Sequence, residues 1–516
     1  MHSHRPAAPL RRRPDGTWEL GAEVRGLSDD SRTLRPGEVF VAIRGRSDDG
    51  HRHLAEAAER GAVAAVVDDP ALAAHAPPHL PLVLTPSSRR ALGELASTWY
   101  GHPTRQIDLV GVTGTNGKTT TAVMLTAILR QAGRSAHTVG TLGPFESDAS
   151  YPLTTPFPLQ LQRTLRRLVD AGADAVVMEV SSHGLVQHRV AGCEFDVAVL
   201  TSLGRDHLDY HPSLRAYWAA KTRLFKLLAR PGRTKARTPV AVLPLEGEGT
   251  AAVARHVRVP CLRFALGRRG DVRATRLRPT AWGSRFLLHM GGRSVPVRLH
   301  LPGAFNVANA LAAAAAAHAL GVSPEDVAGG LDTVRHVPGR CERLPLPGGG
   351  FAVVDYAHNP DGLAQLLEAV RAGSPHRRLV CVLGGRGHRD PGKLPGMGAT
   401  VARYAQELVL TTDSPLDEDP RALAQAIAAG VPAGASLRVS YVEDRAEAIA
   451  RAVEAAGPGG VVVVTGRGHE PQQWVGERVL HRLDADMVRE AARQLRRARR
   501  GKAEALVPQR PPPAIW

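Results

Sequence analysis

The chain has 516 residues, 43% of them hydrophobic, and a formal net charge of +17. This length is enough for about two to four domains with separate cores, and the even spread of apolar residues excludes a mainly disordered protein. The charge could attract a nucleic acid, but eleven of the basic residues lie in two terminal runs, and only 4% of the residues are aromatic. Terminal basic runs are usually solvated tails, so we expect no nucleic-acid partner.

The first segment predicts a flexible tail followed by a small domain. Residues 1–24 are rich in Arg and Pro and are expected to form the tail. Residues 25–102 contain a helical pattern at Leu54–Arg60 and three short apolar runs that are typical of strands, at Val39–Ile43, Val63–Val67 and Leu82–Leu84. We therefore expect a small N-terminal α/β domain.

The second segment, residues 103–336, opens with a strand–loop–helix unit. An apolar strand at Ile107–Val112 precedes a glycine-rich loop and a helix at about Thr119–Gln131. Ala175–Val180 and Val197–Thr201 predict further buried strands, separated by helical patterns. Such continuous apolar runs favour a central domain built on a mostly parallel sheet, of the type that carries phosphate loops.

The third segment, residues 337–490, alternates strands with helices such as Gly362–Arg371 and Ala446–Ala456. Its predicted strands are Phe351–Asp355, Leu379–Leu383, Leu408–Thr412 and Val461–Thr465. This alternation is typical of a doubly wound, Rossmann-like domain. Residues 491–516 are basic and then Pro-rich, and we expect them to form a second tail.

Several features favour a cytoplasmic protein without a membrane partner. The N-terminal stretch Met1–Gly16 lacks the apolar core of a secretory signal. The longest apolar stretch, Ala308–Val322, is too short to span a bilayer and predicts a buried, Ala-rich helix. The four cysteines stand far apart without a paired motif, at Cys193, Cys261, Cys341 and Cys381. We therefore expect reduced thiols rather than a disulfide framework or a zinc site.

The glycine-rich loop predicts an ATP site. It consists of Gly114, Thr115, Asn116, Gly117, Lys118, Thr119 and Thr120. Glycines let backbone N–H groups turn toward phosphate oxygens, the helix that follows favours negative charge, and Lys118 can reach the β- and γ-phosphates. Thr119 is placed to hold Mg²⁺. The general phosphate-loop pattern has a glycine six residues before the lysine, and this chain has Val112 there. The alternative to an ATP site is therefore a glycine turn that arose by chance.

Acidic and imidazole side chains follow the next two predicted strands. Glu179 stands at the C-terminal end of the first, where parallel sheets present their catalytic groups. The stretch Arg205–His211 holds two imidazoles and two carboxylates. A buried ion pair and a capped loop are the structural alternatives. The chemical interpretation is that both places bind metal during phosphoryl transfer.

Taken together, these motifs resemble the Mur ligase family. The ordered set is Gly114–Thr120, Glu179–Val190, Arg205–His211 with Ala219–Lys221, Pro302–Asn309, Pro338–Arg340 and Asp355–His358. The resemblance covers roughly residues 25–490. Three further stretches narrow the resemblance to the MurE-type branch, the UDP-N-acetylmuramoyl-tripeptide synthetases. These stretches are Asp30–Arg32, Pro36–Ile43 and Leu153–Pro156.

The resemblance implies an ATP-dependent amide-bond ligase of peptidoglycan precursor synthesis. ATP would phosphorylate the free carboxylate of UDP-N-acetylmuramoyl-L-alanyl-D-glutamate, and the amine of a free amino acid would attack the acyl phosphate. Four residues match the catalytic positions of the family: Lys118, Glu179, His207 and Lys221. The residues that match its Mg²⁺ positions are Thr119, Glu179, His207 and Lys221. In this family the lysine that matches Lys221 is carbamylated by CO₂, which turns a cation into a carboxylate-like Mg²⁺ ligand. We expect the enzyme to act as a monomer.

The resemblance also implies three sets of binding residues. The ATP site would comprise the loop residues together with Asn309, Arg340 and Asp355, with His358 beside them. The UDP-sugar site would comprise Ser31, Thr154, Thr155, Ser181, Gln187 and Arg189. The amino-acid site would comprise Arg389, Asp413, Ser414, Leu416, Gly466 and Glu470.

One motif departs from the family pattern. Members that add diaminopimelate carry Asp-Asn-Pro-Arg, whose arginine binds the distal carboxylate of that amino acid, whereas this chain has Asp413-Ser-Pro-Leu416. Leucine cannot pair with a carboxylate, and an unpaired desolvated carboxylate costs a few kcal/mol as an order of magnitude. Arg386 or Arg467 could supply a displaced cation. The identity of the amino acid therefore stays open.

Four alternatives compete with a tripeptide synthetase. A related enzyme could amidate another carboxylate in a specialised pathway. A folylpolyglutamate synthase shares the ATP site and the acyl-phosphate chemistry, but Asp30–Gly45 and Leu153–Pro156 argue against it. A basic nucleic-acid ATPase would need stacking aromatics or a basic groove. A catalytically dead scaffold would be expected to lose one of the catalytic residues, and the chain retains Lys118, Glu179, His207 and Lys221.

Overall fold

The structure is a computed structural model that describes residues 9–14, 16–45, 48–143, 153–280 and 282–505, apart from the side chains of Glu248 and of residues 500–505. Its three larger sheets have four, nine and six strands, and two further strand pairs form small hairpins. Each larger sheet lies within one of the three predicted segments. The predicted three-domain α/β fold is confirmed.

The N-terminal domain is a parallel four-stranded sheet in the order β3-β4-β5-β6, with a β1–β2 hairpin beside it. Its elements are β1 (Leu10–Arg12), β2 (Trp18–Leu20), β3 (Gly26–Ser28), β4 (Glu38–Val41), α1 (Leu54–Glu59), β5 (Ala64–Val67), α2 (Pro70–Ala73), β6 (Leu82–Leu84) and α3 (Ser88–Trp99). The alternating residues of β4 and β5 fill one core on each face of the sheet.

The hairpin corrects the prediction of a flexible tail over residues 1–24, of which the structure describes 9–14 and 16–24. Leu10 and Trp18 are buried and pack with Leu95 of α3. The Trp18 indole nitrogen also donates a hydrogen bond to Glu94, at 3.4 Å. Burial of a large indole side chain stabilises an ordered segment, and the Arg-rich composition of the segment concealed it.

The central domain has the strand order β15-β14-β13-β12-β11-β10-β7-β9-β8, parallel from β8 to β13 and antiparallel beyond. Its elements are β7 (Asp108–Thr113), α4 (Lys118–Gln131), β8 (Ala136–Val139), α5 (Pro158–Asp170), β9 (Ala175–Glu179), α6 (Ser182–Val186), β10 (Val197–Leu200), α7 (Leu214–Leu228), β11 (Val240–Pro244), α8 (Glu248–Ala254), β12 (Cys261–Leu266), β13 (Val272–Thr280), β14 (Gly283–Met290), β15 (Arg293–Leu299), α9 (Ala304–Ala319) and α10 (Pro324–Thr333). Helix α9 is the predicted Ala-rich helix, and its small side chains let it pack closely between the sheet and α4.

The C-terminal domain has the strand order β16-β17-β21-β18-β19-β20, parallel except for the edge strand β16. Its elements are β16 (Glu342–Pro345), β17 (Phe351–Val354), α11 (Pro360–Ala372), β18 (Leu379–Leu383), α12 (Leu394–Tyr404), β19 (Glu407–Leu410), α13 (Pro420–Ala428), β20 (Arg438–Tyr441), α14 (Arg445–Ala456), β21 (Val461–Val464), β22 (Gln472–Val475), β23 (Arg478–His481) and α15 (Asp484–Ala505). Helices cover both faces, which explains why β17, β18 and β21 are apolar at every position.

Helix α15 corrects the prediction of a tail that begins at residue 491. The helix continues to Ala505, and Val488, Ala491 and Ala492 pack in the core formed with α14. The segment is helical because apolar residues on one side of it pack against the core, although the sequence around them is strongly basic. The Pro-rich residues from 508 onward lie outside the described residues. No described helix is both long and apolar enough to cross a bilayer.

A buried ion pair joins α14 to α15. Arg445 and Asp484 have no exposed surface, and the guanidinium makes two hydrogen bonds to the carboxylate, at 2.7 and 2.8 Å. Arg467 approaches the same carboxylate at 3.4 Å.

The replacement Asp484→Ala should lower the free energy of unfolding of the C-terminal domain by about 3–5 kcal/mol, because two buried cations would lose their counter-charge. The control Asp486→Ala removes an exposed carboxylate two residues away, paired only with Arg489, and should change it by less than about 0.5 kcal/mol. Urea unfolding followed by circular dichroism measures both. Equal losses in the two variants would contradict this account.

Candidate active site

The phosphate loop connects the end of β7 to the start of α4. Gly114 and Gly117 have φ angles of +153° and +86°, which favour glycine. Space also requires glycine, because a Cβ atom at Gly114 would clash with the Thr201 hydroxyl and one at Gly117 with Oδ1 of Asn309. The loop therefore lies between the end of β10 and helix α9, and the Thr115 and Asn116 N–H groups donate hydrogen bonds to Ser202.

Two lysines converge on this loop. Lys118 Nζ donates hydrogen bonds to the carbonyl oxygens of Gly114 and Thr115, at 2.9 and 3.0 Å. Lys221 Nζ, from α7, donates to the same Gly114 oxygen at 2.7 Å and lies 4.6 Å from the Tyr217 ring centre. Burial lowers the pKa of Lys118 and, helped by the charge of Lys118, holds the pKa of Lys221 well below its usual value. The structure thus brings together two of the predicted catalytic residues.

Glu179 lies fully buried at the end of β9, where the sequence predicted it. One carboxylate oxygen accepts a hydrogen bond from the Thr119 hydroxyl and the other from the Thr141 N–H, both at 2.8 Å. Arg340, from the C-terminal domain, donates to the same Thr119 hydroxyl at 3.2 Å and stacks on Tyr356, 4.3 Å from its ring centre. The phosphate loop is therefore linked both to β9 of its own domain and to the C-terminal domain.

His207 has a left-handed backbone conformation, with φ of +54°. Its buried Nδ1 finds no hydrogen-bond partner among the described residues, while its Nε2 lies 3.8 Å from Asp206. Burial lowers the pKa of His207 well below its usual value, which favours the neutral ring, in which one nitrogen carries a proton and the other a lone pair. Asp206 also approaches His358 of the C-terminal domain, at 3.3 Å. The sequence suggested His207 but missed the link through Asp206.

These donors fit a hard divalent cation. Thr119 and Glu179 offer a hydroxyl and a carboxylate, and His207 offers an unpartnered nitrogen. Within the described ranges, no group of three or more His, Cys, Asp and Glu residues is close enough to hold a metal by itself. This suits Mg²⁺, which keeps several water ligands and shares substrate phosphates. Lys221 has no lone pair as an ammonium and would become a ligand only after carbamylation.

The residues predicted for the UDP-sugar fall into two groups. Thr155 accepts a hydrogen bond from the Ser181 N–H, and Arg189 donates to the Thr155 carbonyl at 2.7 Å and to Gln187. Burial lowers the pKa of Arg189 to about 10. Ser31, in contrast, lies in the N-terminal domain and donates to Glu56, at 2.8 Å.

Phe157 is a neighbour that the sequence analysis missed. Its ring lies beneath the Arg189 guanidinium, at 4.5 Å, and its side chain is 44% exposed. An exposed aromatic next to the Leu153–Pro156 motif was the available signal.

The residues predicted for the amino-acid site also fall into two groups. Glu470 makes an ion pair with Arg386, at 3.0 and 3.1 Å, and accepts a hydrogen bond from the Tyr356 hydroxyl, at 2.9 Å. Arg389 is half-exposed and lies 3.5 Å from Asp209. Arg386, and not Arg467, is the additional cation here, because Arg467 is fully buried and binds Asp484 and two backbone carbonyls.

Four further predicted residues lie behind this ion pair. Asp413 is buried, and a Cβ atom at Gly466 would clash with its carboxylate. Ser414 accepts a hydrogen bond from the Trp474 N–H, at 3.3 Å, and the Leu416 N–H donates to the Trp474 carbonyl. Ser414 and Leu416 therefore contact strand β22 of the β22–β23 hairpin.

A cavity of about 400 Å³ unites most of the predicted residues. Its lining includes Thr115, Asn116, Gly117, Lys118, Thr119, Thr120, Thr154, Glu179, Ser181, Arg189, His207, Lys221, Asn309, Arg340, Asp355, His358, Arg389 and Glu470. It also includes residues that the sequence analysis did not single out, namely His183, Asp206, Tyr356 and His469. Eight predicted residues are not part of the lining: Ser31, Gly114, Thr155, Gln187, Asp413, Ser414, Leu416 and Gly466.

The chain matches three family models in succession. Residues 23–100 match the Mur ligase family catalytic domain, residues 112–317 the Mur ligase middle domain and residues 339–468 the glutamate ligase domain of Mur ligases. Together with the phosphate loop, these matches define an ATP-dependent ligase. The chain belongs to the Mur ligase family, whose members are ADP-forming ligases.

Individual proteins agree with this assignment. A UDP-N-acetylmuramoyl-L-alanyl-D-glutamate–2,6-diaminopimelate ligase of Geobacillus thermodenitrificans is 39% identical over 477 residues, which cover 92% of this chain and 96% of the relative. A solved structure of a ligase with the same name aligns with a TM-score of 0.63 at 30% identity, over 92% of this chain and 95% of that one. A folylpolyglutamate synthase of Mycobacterium tuberculosis shares the fold, with a TM-score of 0.60 at 22% identity over 79% of this chain and 95% of that one.

The replacement Gly117→Ala should weaken ADP binding at least about tenfold, because it combines a strained backbone with a clash against Asn309. Gly133→Ala is a matched control, since Gly133 has a similar φ of +80° but open space around it. We expect the control to bind ADP normally, and isothermal titration calorimetry measures both affinities. Normal binding by Gly117→Ala would refute the proposed role of the loop.

Proposed function

We propose that this chain joins an amino acid to UDP-N-acetylmuramoyl-L-alanyl-D-glutamate, using ATP, in peptidoglycan precursor synthesis. The observation that carries the proposal is that one cavity contains the phosphate loop with Lys118 and Glu179, the Arg189 guanidinium and the Arg386–Glu470 ion pair. These are groups for ATP, for the UDP-sugar peptide and for an amino acid, respectively. The names of the relatives support the same substrates. We place the enzyme in the cytoplasm, as a monomer.

In the first step, a carboxylate oxygen of the D-glutamyl group attacks the γ-phosphorus of ATP, and ADP leaves. Negative charge develops on the transferred phosphoryl group, and the guanidinium of Arg340 and the ammonium of Lys118 stabilise it. Both act in a buried cavity, where electrostatic interactions are stronger than in water. Mg²⁺, when bound near Thr119, Glu179 and His207, would neutralise further charge on the phosphates.

In the second step, the amine nitrogen of the amino acid attacks the acyl carbon, phosphate leaves and the amine gives up a proton. An acyl phosphate hydrolyses if water reaches it, so the cavity must exclude water at this stage. The central and C-terminal domains both contribute to its walls, through groups such as His207 and His358. Closure of the domains on the substrates would complete this protection.

Lys221 suits carbamylation because its environment favours the neutral amine. Burial and the nearby Lys118 hold the pKa of Lys221 well below its usual value, which favours the deprotonated nitrogen. That nitrogen can attack CO₂, form an N–C bond and release a proton, which yields a carbamate anion. An anion at this place would offset the charge of Lys118 and provide oxygen ligands for Mg²⁺.

The replacement Lys221→Ala should lower kcat at least about a hundredfold, because the charge-stabilising group is lost. Acetate or formate should partly restore it by replacing the carbamate. Lys226→Ala removes an exposed lysine from the same helix and serves as the control. The rate of phosphate release gives kcat for each variant. Full activity without added acid would disprove the role of Lys221.

The amino-acid side favours a second candidate, a related ligase that does not use diaminopimelate. Both carboxylate oxygens of Glu470 already face Arg386, and one also accepts the Tyr356 hydroxyl. The position that would need a cation for a distal carboxylate is Leu416, which is partly buried against the β22–β23 hairpin. The distal ammonium of diaminopimelate would therefore compete with Arg386 and Tyr356 for Glu470. Its distal carboxylate would stay unpaired beside Leu416, and a buried unpaired charge is costly.

The replacement Leu416→Arg should raise kcat/KM for diaminopimelate at least about tenfold, because a guanidinium can bind the distal carboxylate with two hydrogen bonds. Leu416→Gln has a similar length without the charge and should change it by less than about threefold. Steady-state kinetics with diaminopimelate and lysine separate the two effects. An unchanged preference in Leu416→Arg would contradict the placement of Leu416 in the amino-acid site.

The direct test of the function uses purified protein with ATP, Mg²⁺ and UDP-N-acetylmuramoyl-L-alanyl-D-glutamate, and a panel of amino acids. Phosphate should appear only when the nucleotide-linked dipeptide and one amino acid are both present. The product mass should equal the sum of the two substrates less one water. Absence of product with every amino acid would reject the proposed acceptor and favour a ligase for another carboxylate.

A further inference from the structure

The antiparallel strands β13, β14 and β15 form an outer face that the active site does not use. Alternate residues of β14, such as Phe286 and Leu288, are buried against α9 and α10, and the residues between them point outward. Strand pairing sets Arg278 opposite Arg285, and Arg285 opposite Arg298. We call these three exposed residues the arginine row.

The arginine row is unusual because like charges directly opposite each other destabilise a sheet. In the part of the chain that the structure describes, none of the three arginines forms an ion pair. Arg273 and Arg276 add further charge on the same strand. Their effect is visible at His289, whose pKa is lowered by burial and then by these two guanidinium groups.

The carboxylates close to these strands are already engaged. Glu325 pairs with Arg293, and Asp332 pairs with His300. Asp271 accepts a hydrogen bond from the backbone N–H of Arg263, at 2.7 Å. The face therefore presents a concentrated positive charge that an external anionic surface would complement.

Apolar residues lie among the arginines. Leu287 and Pro296 occupy the next cross-strand row, and Leu277 is 36% exposed at the irregular part of β13. Phe286 is the aromatic residue of these three strands, and it is buried. A flat face that combines arginines with exposed apolar side chains suits lipid headgroups and the adjoining acyl region. A single-stranded nucleic acid would instead need exposed aromatic rings for stacking.

We propose that the arginine row binds the surface of an anionic phospholipid bilayer. The row begins on β13, three strand positions from β10, and ends on β15, five positions from it. With strands about 4.8 Å apart, it lies roughly 14–24 Å along the sheet from the strand that precedes His207. The cavity can therefore stay open to its substrates while the face contacts a membrane. This inference does not depend on the identity of the amino acid or of the acceptor.

The test measures cosedimentation of the full chain with vesicles of phosphatidylcholine containing about 30 mol% phosphatidylglycerol, and with phosphatidylcholine alone, at about 0.15 M salt. The triple variant Arg278→Gln, Arg285→Gln, Arg298→Gln should bind anionic vesicles at least about tenfold more weakly than the parent chain. The control Arg52→Gln, Arg255→Gln, Arg451→Gln removes the same charge from three separate exposed sites and should reduce binding less than about threefold.

Ligand-binding competence is checked by ADP affinity, which both triple variants should retain. An equal loss of vesicle binding in the two triple variants would overturn the proposal, because it would show a general effect of net charge. Failure of the parent chain to bind anionic vesicles would also overturn it. A third result would also overturn the proposal. If an oligonucleotide binds tightly, displaces the vesicles and no longer binds the arginine-row variant, the face is a nucleic-acid surface.

Discussion

Two lysine nitrogens share the carbonyl oxygen of Gly114, one from the buried Lys221 and one from the half-buried Lys118, and the electrostatics of the site follow from this close approach. Lys118 and Lys221 approach that oxygen within 2.9 Å, and burial lowers the pKa of both. Desolvated charge of one sign is costly unless an opposite charge offsets it. Nucleotide phosphates provide such a charge, and so would a carbamate on Lys221. Gly114 and Gly117 have positive φ angles, and each lies too close to a neighbour, Thr201 and Asn309 respectively, to carry a Cβ atom.

The second constraint is that the cavity belongs to two domains. Arg340 reaches from the C-terminal domain to the Thr119 hydroxyl, and His358 approaches Asp206 next to His207. Arg340 therefore joins Lys118 only when the two domains meet. In the proposed reaction, this arrangement would couple domain position to chemistry and would form the acyl phosphate in an enclosed space.

In the amino-acid site that we propose, specificity would depend on what each charged group already contacts. Glu470 could in principle bind a substrate ammonium, but Arg386 and Tyr356 occupy it here. Arg467 appeared equally available in the sequence, yet it is committed to Asp484 in the buried contact between α14 and α15. Charge type alone thus does not identify a specificity residue, since neighbours decide whether the charge can face a substrate.

The sequence by itself determined the parts of the protein whose signals are local. The strands next to the phosphate loop and at Glu179 were predictable because β7 and β9 are covered on both faces and their inner residues are therefore apolar. Tertiary structure decided the rest. The β1–β2 hairpin and the end of α15 are ordered by a few buried side chains within basic segments, so composition predicted tails. The pairing of Arg386 with Glu470 and the arginine row join residues far apart in the chain, and their alignment depends on domain packing and strand register.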